Sequence, residues 1–200
     1  AQMREPNDCA LDGKGGLLIA DIQDQRIRRL DIETGIITTF AGTGEKVHTG
    51  DGGPASEAGI FGARAVCVDG RGNTYICERE GNSIRKVDSE GIITLVSGRD
   101  EKGYTGDGGP AIDATLNGPK AIRCDLDGNV LVVDTENHAI RKINVSDGTT
   151  STVAGGRQGP EGDDGDSTLA SLARPHGVVS DSQGVFYIPD SENHRARRVG

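Results

Sequence analysis

The sequence is poor in the residues that usually fill a core: no Trp, one Met, three Phe and three Tyr among 200 residues. Aromatic platforms for stacking nucleobases are correspondingly scarce. No apolar stretch approaches the roughly 20 residues that a membrane-spanning helix needs. The start, Ala1-Gln2-Met3-Arg4-Glu5, lacks the apolar segment of a secretion signal. Basic residues are also in the minority. With 22 Lys and Arg against 31 Asp and Glu, the formal net charge is −9. That balance argues against bulk electrostatic binding of nucleic acid, which requires a local excess of Lys and Arg, although it leaves room for a basic patch on one face. The four cysteines, Cys9, Cys67, Cys77 and Cys124, form neither a CxxC pair nor another zinc spacing. Each stands in an apolar run, where an unpaired Cys is expected to serve as a small core residue. Their number assigns no compartment.

What the chain has in quantity is glycine, 31 residues of it. The glycines do not form low-complexity runs. They punctuate short segments rich in Val, Ile, Leu and Thr, the pattern of an all-β chain with many strands and many turns. They also repeat: Gly15, Gly72, Gly128 and Gly184 are 57, 56 and 56 residues apart. Asp21, Glu78, Asp134 and Asp190 keep the same spacings, as do Arg28, Arg85, Arg141 and Arg197. The loop Thr49-Gly50-Asp51-Gly52-Gly53-Pro54-Ala55 recurs from Thr105 to Ala111, with a degenerate copy from Glu161 to Ser167.

Within the third unit the segments Ala121–Cys124, Val130–Val133, Ala139–Ile143 and Thr150–Ala154 read as strands. Asp, Gly and Asn turns join them, and Gly and Asn supply the positive φ of tight hairpins. Four antiparallel strands per repeat of this length describe a propeller blade. One blade cannot bury both its faces alone, whereas radial stacking spreads a core over many aliphatic contacts and needs few aromatics. The expected units are approximately 5–61, 62–117, 118–174 and an incomplete 175–200, together one propeller segment over 1–200.

The runs Asp134-Thr135-Glu136-Asn137-His138 and Asp190-Ser191-Glu192-Asn193-His194 resemble the NHL motif, in which Asn-His follows the second strand. The first two units depart from it, with Asp24-Gln25 and Gly81-Asn82 at that place. The resemblance implies an NHL-type β-propeller with six blades, of which this chain supplies less than four. The remainder is expected from the same chain or from a second one. It says little about activity, because this propeller hosts lyases, lactonases and pure interaction modules alike.

A residue that recurs in every unit is expected to serve the blade, whereas a position that varies is free to serve a ligand. By that rule Asp21, Glu78, Asp134 and Asp190 are structural, each paired across a hairpin with the Arg seven residues on. His138 and His194 fall with them. Asp51, Asp107 and the cluster Asp163, Asp164, Asp166 lack both the P-loop and the EF-hand pattern and read as solvated turn carboxylates. The varying position lies just before each innermost strand: Asn7, Arg64, Lys120 and His176, spaced by 57, 56 and 56. In a propeller this point faces the mouth of the central channel. Two permanent cations in such a ring would suit a small anionic ligand or an acidic loop of a partner protein.

No catalytic residue, metal site or cofactor is expected from these positions. The lyases and lactonase-like hydrolases of this fold place a metal near the channel, held by His and carboxylates; only His176 matches in type, and Arg64 and Lys120 would repel a divalent ion. A metal-assisted lyase or lactonase-like hydrolase therefore stands as the alternative, with its remaining ligands outside this segment. RNA binding ranks below both, despite the basic pairs Arg28-Arg29, Arg85-Lys86, Arg141-Lys142 and Arg197-Arg198.

Overall fold

The structure, a computed structural model, describes residues 2–200. It consists of successive antiparallel sheets, each with its strands in sequence order. The first sheet holds β1 (Pro6–Leu11), β2 (Gly16–Asp21), β3 (Arg26–Asp31) and β4 (Ile37–Ala41). The second holds β5 (Ala63–Val68), β6 (Thr74–Glu78), β7 (Ser83–Val87) and β8 (Ile93–Gly98). The third holds β9 (Ala121–Cys124), β10 (Val130–Asp134), β11 (Ala139–Asn144) and β12 (Thr149–Gly155). The fourth has three strands, β13 (Val179–Ser180), β14 (Phe186–Asp190) and β15 (Arg195–Val199). These are the blades of a β-propeller, and the last lacks a fourth strand, as the repeat length requires. No helix among the described residues is long and apolar enough to cross a membrane.

Alternation along each strand builds the core between blades rather than within them. Ile76 of β6 packs with Leu18, Ile27 and Ile60 on one side, whereas its neighbours Tyr75 and Cys77 pack with Ile122, Val130 and Val132 of the next blade. In β10 the faces swap again, and Leu131 and Val133 meet Leu172, Val178 and Ile188. All residues of β6 and β10 are therefore buried, although neither strand is a long apolar run. The turn between the first two strands is fixed by one carboxylate per blade. Asp12, Asp69, Asp125 and Asp181 each accept two backbone N–H groups of the turn that follows.

Two contacts tie each blade to its neighbour. The first is a buried guanidinium. Arg85 donates to the carbonyls of Gly59 (2.7 Å) and Thr49 (2.9 Å) and pairs with Asp51 (3.0 Å) and Glu78 (3.4 Å). Arg141 repeats this with Thr105, Asp107 (2.9 Å) and Asp134 (3.7 Å), and Arg197 with Ser171, Asp163 (2.8 Å) and Asp190 (3.4 Å). The expected Arg–carboxylate pair thus forms in the second, third and fourth blades. In the first it does not: Arg28 turns to Asp24 at 3.5 Å. The reason is local. In the other blades the Gly-Asp-Gly loop of the preceding unit presses the Arg down, and no such loop precedes Arg28 within these residues. Asp51, Asp107 and Asp163, expected as solvated turn carboxylates, are the loop's half of this clasp.

The second contact sits where the Asn-His motif ends. Gln25, Asn82 and His138 all adopt positive φ, and each accepts a backbone N–H from the start of the next blade. The bonds run from Gly62 to Gln25 Oε1 (2.6 Å), from Gly118 to Asn82 Oδ1 (2.8 Å) and from Arg174 to His138 Nδ1 (3.1 Å). Three different side chains perform one task, so the departures from Asn-His cost the fold nothing at this point.

The turn also demands a glycine at the end of the outer strand. A Cβ on Gly98 would lie 2.1 Å from the Asn82 carbonyl oxygen, and φ there is +91°. Gly91 has φ +81° with nothing near. Gly98→Ala should therefore cost about 3 kcal/mol or more, combining left-handed strain with a backbone clash, against about 1 kcal/mol for Gly91→Ala. Urea unfolding of the two variants checks this; equal losses would mean that the close approach is relieved by a small backbone shift.

Candidate ligand site at the channel mouth

The four varying positions line one cavity, and a β-bulge contributes. The pairing of β1 with β2 slips between Pro6 and Asp8, and that of β5 with β6 between Ala63 and Ala65. Asn7 and Arg64 are the extra residues, and a bulge turns its residue out of the sheet's alternation. Lys120 and His176 lie just ahead of β9 and β13, their N–H groups bonded to the carbonyls of Val133 (3.0 Å) and Pro189 (3.4 Å). The approach to each is held by the recurring carboxylate of the second strand. Asp21 accepts the N–H of Glu5 (2.8 Å), Glu78 that of Phe61 (3.1 Å), Asp134 that of Asn117 (2.8 Å) and Asp190 that of Ala173 (2.7 Å). One carboxylate per blade thus fixes the clasp or the strand entry, and the ring residue follows two or three positions later.

Asn7, Arg64, Lys120 and His176 line one open cavity of about 400 Å³, together with the Asp8–Arg123 ion pair. Asn7 contributes least, because its amide is bonded to the carbonyl of Glu5. Lys120 Nζ donates to His176 Nε2 at 2.8 Å, which places the imidazole proton on Nδ1. Partial burial lowers the Lys120 ammonium pKa from its usual value, and the cations Arg174, Arg79 and Arg64 lower it further. His176 is likewise lowered, first by burial and then by Lys120, Arg174 and Arg64. Arg64 and Arg79 form no ion pair among the described residues, and their Nε atoms are buried without a hydrogen-bond partner.

Arg79 and Arg174 do not line the cavity, but their charges act on Lys120 from outside it. Arg174 occupies the place held by Gly62 and Gly118 in the earlier units and has φ +45°, an uncommon state for a side-chain-bearing residue. It is held between Glu136 (2.6 Å) and Glu192 (3.2 Å), so the acidic groups nearest the ring are already engaged. The break in the glycine pattern at 174 was the available signal.

Several of the basic residues on the third strands are occupied elsewhere. Arg29 pairs with Asp12 at 2.7 Å and Lys142 with Asp125 at 2.9 Å, so the basic pairs of the third strands do not make a continuous stripe. Among the described residues no group of His, Cys, Asp and Glu is arranged to hold a metal ion.

His48, also unforeseen, completes the clasp of the second blade. Asn137 and Asn193 donate to the carboxylates of Asp134 (2.8 Å) and Asp190 (2.7 Å). Their counterpart Gly81 has no side chain, and His48 Nδ1 reaches Glu78 instead at 2.9 Å. Asp100 lies 3.0 Å from the same nitrogen and Asp51 3.2 Å from Nε2.

Residues 172–195 match the family model described as the NHL repeat. Among curated proteins, Teneurin-3 of Danio rerio is 31% identical over 154 residues, covering 64% of this chain and 6% of that protein. NHL repeat-containing protein 2 of Gallus gallus is 24% identical over 212 residues, covering 92% of this chain and 29% of that one. Of solved structures, a protein of unknown function from Bacteroides thetaiotaomicron superposes with a TM-score of 0.74 at 21% identity, over 96% of this chain and 46% of its own. An auxiliary nutrient binding protein from the same organism gives 0.71 at 20% identity, over 98% and 47%. A gluconolactonase from Xanthomonas campestris gives 0.67 at 15%, over 98% and 58%. The fold defines a β-propeller repeat protein. More narrowly, residues 172–195 carry an NHL repeat, and the chain spans only part of each relative it matches.

Protonation of His48 strengthens the second-blade clasp. Its hydrogen bond to Glu78 raises its pKa above 6.5, against burial and the nearby Arg85. A raised folded-state value gives stability that is complete below pH 6.5 and lost as pH rises through the folded pKa. The melting temperature of the protein relative to His48→Gln should therefore fall between pH 6 and pH 9. A difference that stays constant would show that the imidazole does not titrate in this contact.

Proposed function

We propose that the chain is a binding module that takes a small anionic ligand, or an acidic loop of a partner protein, at the channel mouth formed by Asn7, Arg64, Lys120 and His176. The units 5–61, 62–117, 118–174 and 175–200 act as one propeller segment in this reading. The observation that carries it is Arg64, which lines the cavity without an ion pair among the described residues, beside a Lys120–His176 contact of 2.8 Å. A partly buried donor left unmatched costs stability, and a carboxylate or phosphate group that accepts from two of its N–H positions recovers that cost. Anions with a planar or tetrahedral oxygen array fit this donor set better than halides do. The likeness to an auxiliary nutrient binding protein agrees with a binding role.

The likeness to a gluconolactonase favours the alternative, a metal-assisted lyase or hydrolase. In that case a divalent ion would be recruited by groups beyond those that line this mouth. Metal analysis of the purified protein separates the two readings: stoichiometric bound metal would overturn the binding-module assignment.

Calorimetry with inorganic phosphate and with a sugar-acid carboxylate, at about 50 mM salt, tests the site itself. Arg64→Ala/Lys120→Ala should weaken binding at least tenfold, about 1.4 kcal/mol; unchanged affinity would remove the site. Binding should tighten as pH falls. The anion offsets the neighbouring cations that depress His176, so the bound imidazole takes up a proton in a range where the free one does not. His176→Gln should flatten that pH dependence while leaving binding at high pH in place.

A further inference from the structure

Cys67 and Cys124 belong to the innermost strands of adjacent blades, β5 and β9, and are separated by 57 positions in the sequence. Their Sγ atoms are only 3.1 Å apart, although neither is bonded to another cysteine. Cys67 is buried, whereas Cys124 is half-buried and can be approached from solvent. The remaining two thiols are placed differently: Cys77 is fully buried and Cys9 is exposed on β1. The sequence expectation of four core cysteines therefore fails for Cys9, and it missed the pairing of the other two across blades. A disulfide needs Sγ atoms about 2.05 Å apart and Cβ atoms roughly 3.5–4.5 Å apart. The sulfurs stand about 1 Å beyond bonding distance, a closure of the order that side-chain rotation supplies.

The geometry points to Cys67–Cys124 as a site of covalent modification: an interblade disulfide that staples β5 to β9, formed by exchange with a small-molecule disulfide. The half-buried Cys124 attacks the reagent as thiolate, forms a mixed disulfide with one half and releases the other half as a thiolate. Cys67 then gives up its proton to solvent and attacks Cys124 Sγ, expelling the second half. The two protein thiols lose two electrons and two protons in all, and one reagent disulfide becomes two thiols. Burial, followed by the nearness of Cys124, pushes the Cys67 thiol up, which leaves Cys67 as the slower, resolving partner. Arg123, whose guanidinium acts in the opposite direction on Cys67, is itself paired with Asp8 at 2.9 Å and lines the channel mouth. The staple thus lies in the channel wall behind the proposed anion site, but it does not rest on that reading.

The test uses the whole chain, reduced and then incubated with oxidised glutathione. The thiol count after denaturation should fall from four to two, with an intact-mass loss of about 2 Da for the two hydrogens removed. Peptide mapping without reduction should link the segments containing Cys67 and Cys124. The melting temperature should rise by about 5–10 °C, because the cross-link closes a long loop in the unfolded chain. Cys9→Ser should leave all of this intact, and Cys124→Ser should abolish the mass loss. Mapping of the unaltered chain is decisive alone, so the proposal stays testable even where a variant fails to fold. A stable glutathione adduct at Cys9 or Cys124 with no Cys67–Cys124 link would overturn the proposal, as would retention of all thiols.

Discussion

A guanidinium taken out of water needs acceptors close by, and Arg85 and Arg141 draw theirs from both of the blades they touch. Neither blade can satisfy it alone. The second-strand carboxylate comes from the same sheet, whereas the carbonyls of Thr49 and Gly59, or of Thr105, and the loop carboxylate of Asp51 or Asp107 come from the segment that leaves the preceding outer strand. The Gly-Asp-Gly loop exists in this form because it has to fold over the next blade and present those oxygens. The aliphatic core between the blades lies alongside, with Leu18 and Ile27 packed with Ile60 and Ile76.

The same carboxylates link the scaffold to the channel mouth. Glu78 accepts from Ser83 and Arg85 on one side and from the Phe61 amide on the other. Arg64 lies three residues beyond Phe61. Asp134 stands in the same relation to Lys120 through the Asn117 amide. Residues that repeat are therefore spent on holding the strand entries in place, and those entries are free to differ. That division is compatible with a chain of net charge −9 that gathers cations at one point, because the recurring carboxylates are engaged in turns and clasps.

Most of the fold was legible because the repeat states each strand several times. The strands expected at Ala121–Cys124, Val130–Val133, Ala139–Ile143 and Thr150–Ala154 all occur, with their ends moved by one residue at most. Less was visible of contacts that depend on which unit follows which. Arg28 has the sequence of a clasp residue but no preceding loop to seat it, and a pattern confined to one unit cannot reveal this. The loop aspartates looked solvated because their partner lies some 34 residues away. His48 was invisible for a different reason: its role appears only after Gly81 is recognised as a missing donor to Glu78. The irregular positions Asn7, Arg64, Lys120 and His176 line one cavity, whereas the charges of Arg79 and Arg174 that act on Lys120 come from other registers. The sulfur pair of Cys67 and Cys124 occupies non-equivalent registers of two strands, so no spacing rule brings them together.

Coupling of a blade to the loop before it, through the buried arginine, is the central claim. A double-mutant cycle on Arg141 and Asp107, read by urea unfolding of Arg141→Met, Asp107→Ala and the double variant, measures that coupling. Arg141 is 1% exposed and Asp107 47%, so losing the arginine should cost more than losing the aspartate. If the clasp operates, the two losses should fall short of additivity by at least about 1 kcal/mol, the range expected for residues in direct contact within one network. Additivity within about 0.3 kcal/mol would show that loop and blade are energetically independent, and would contradict the claim.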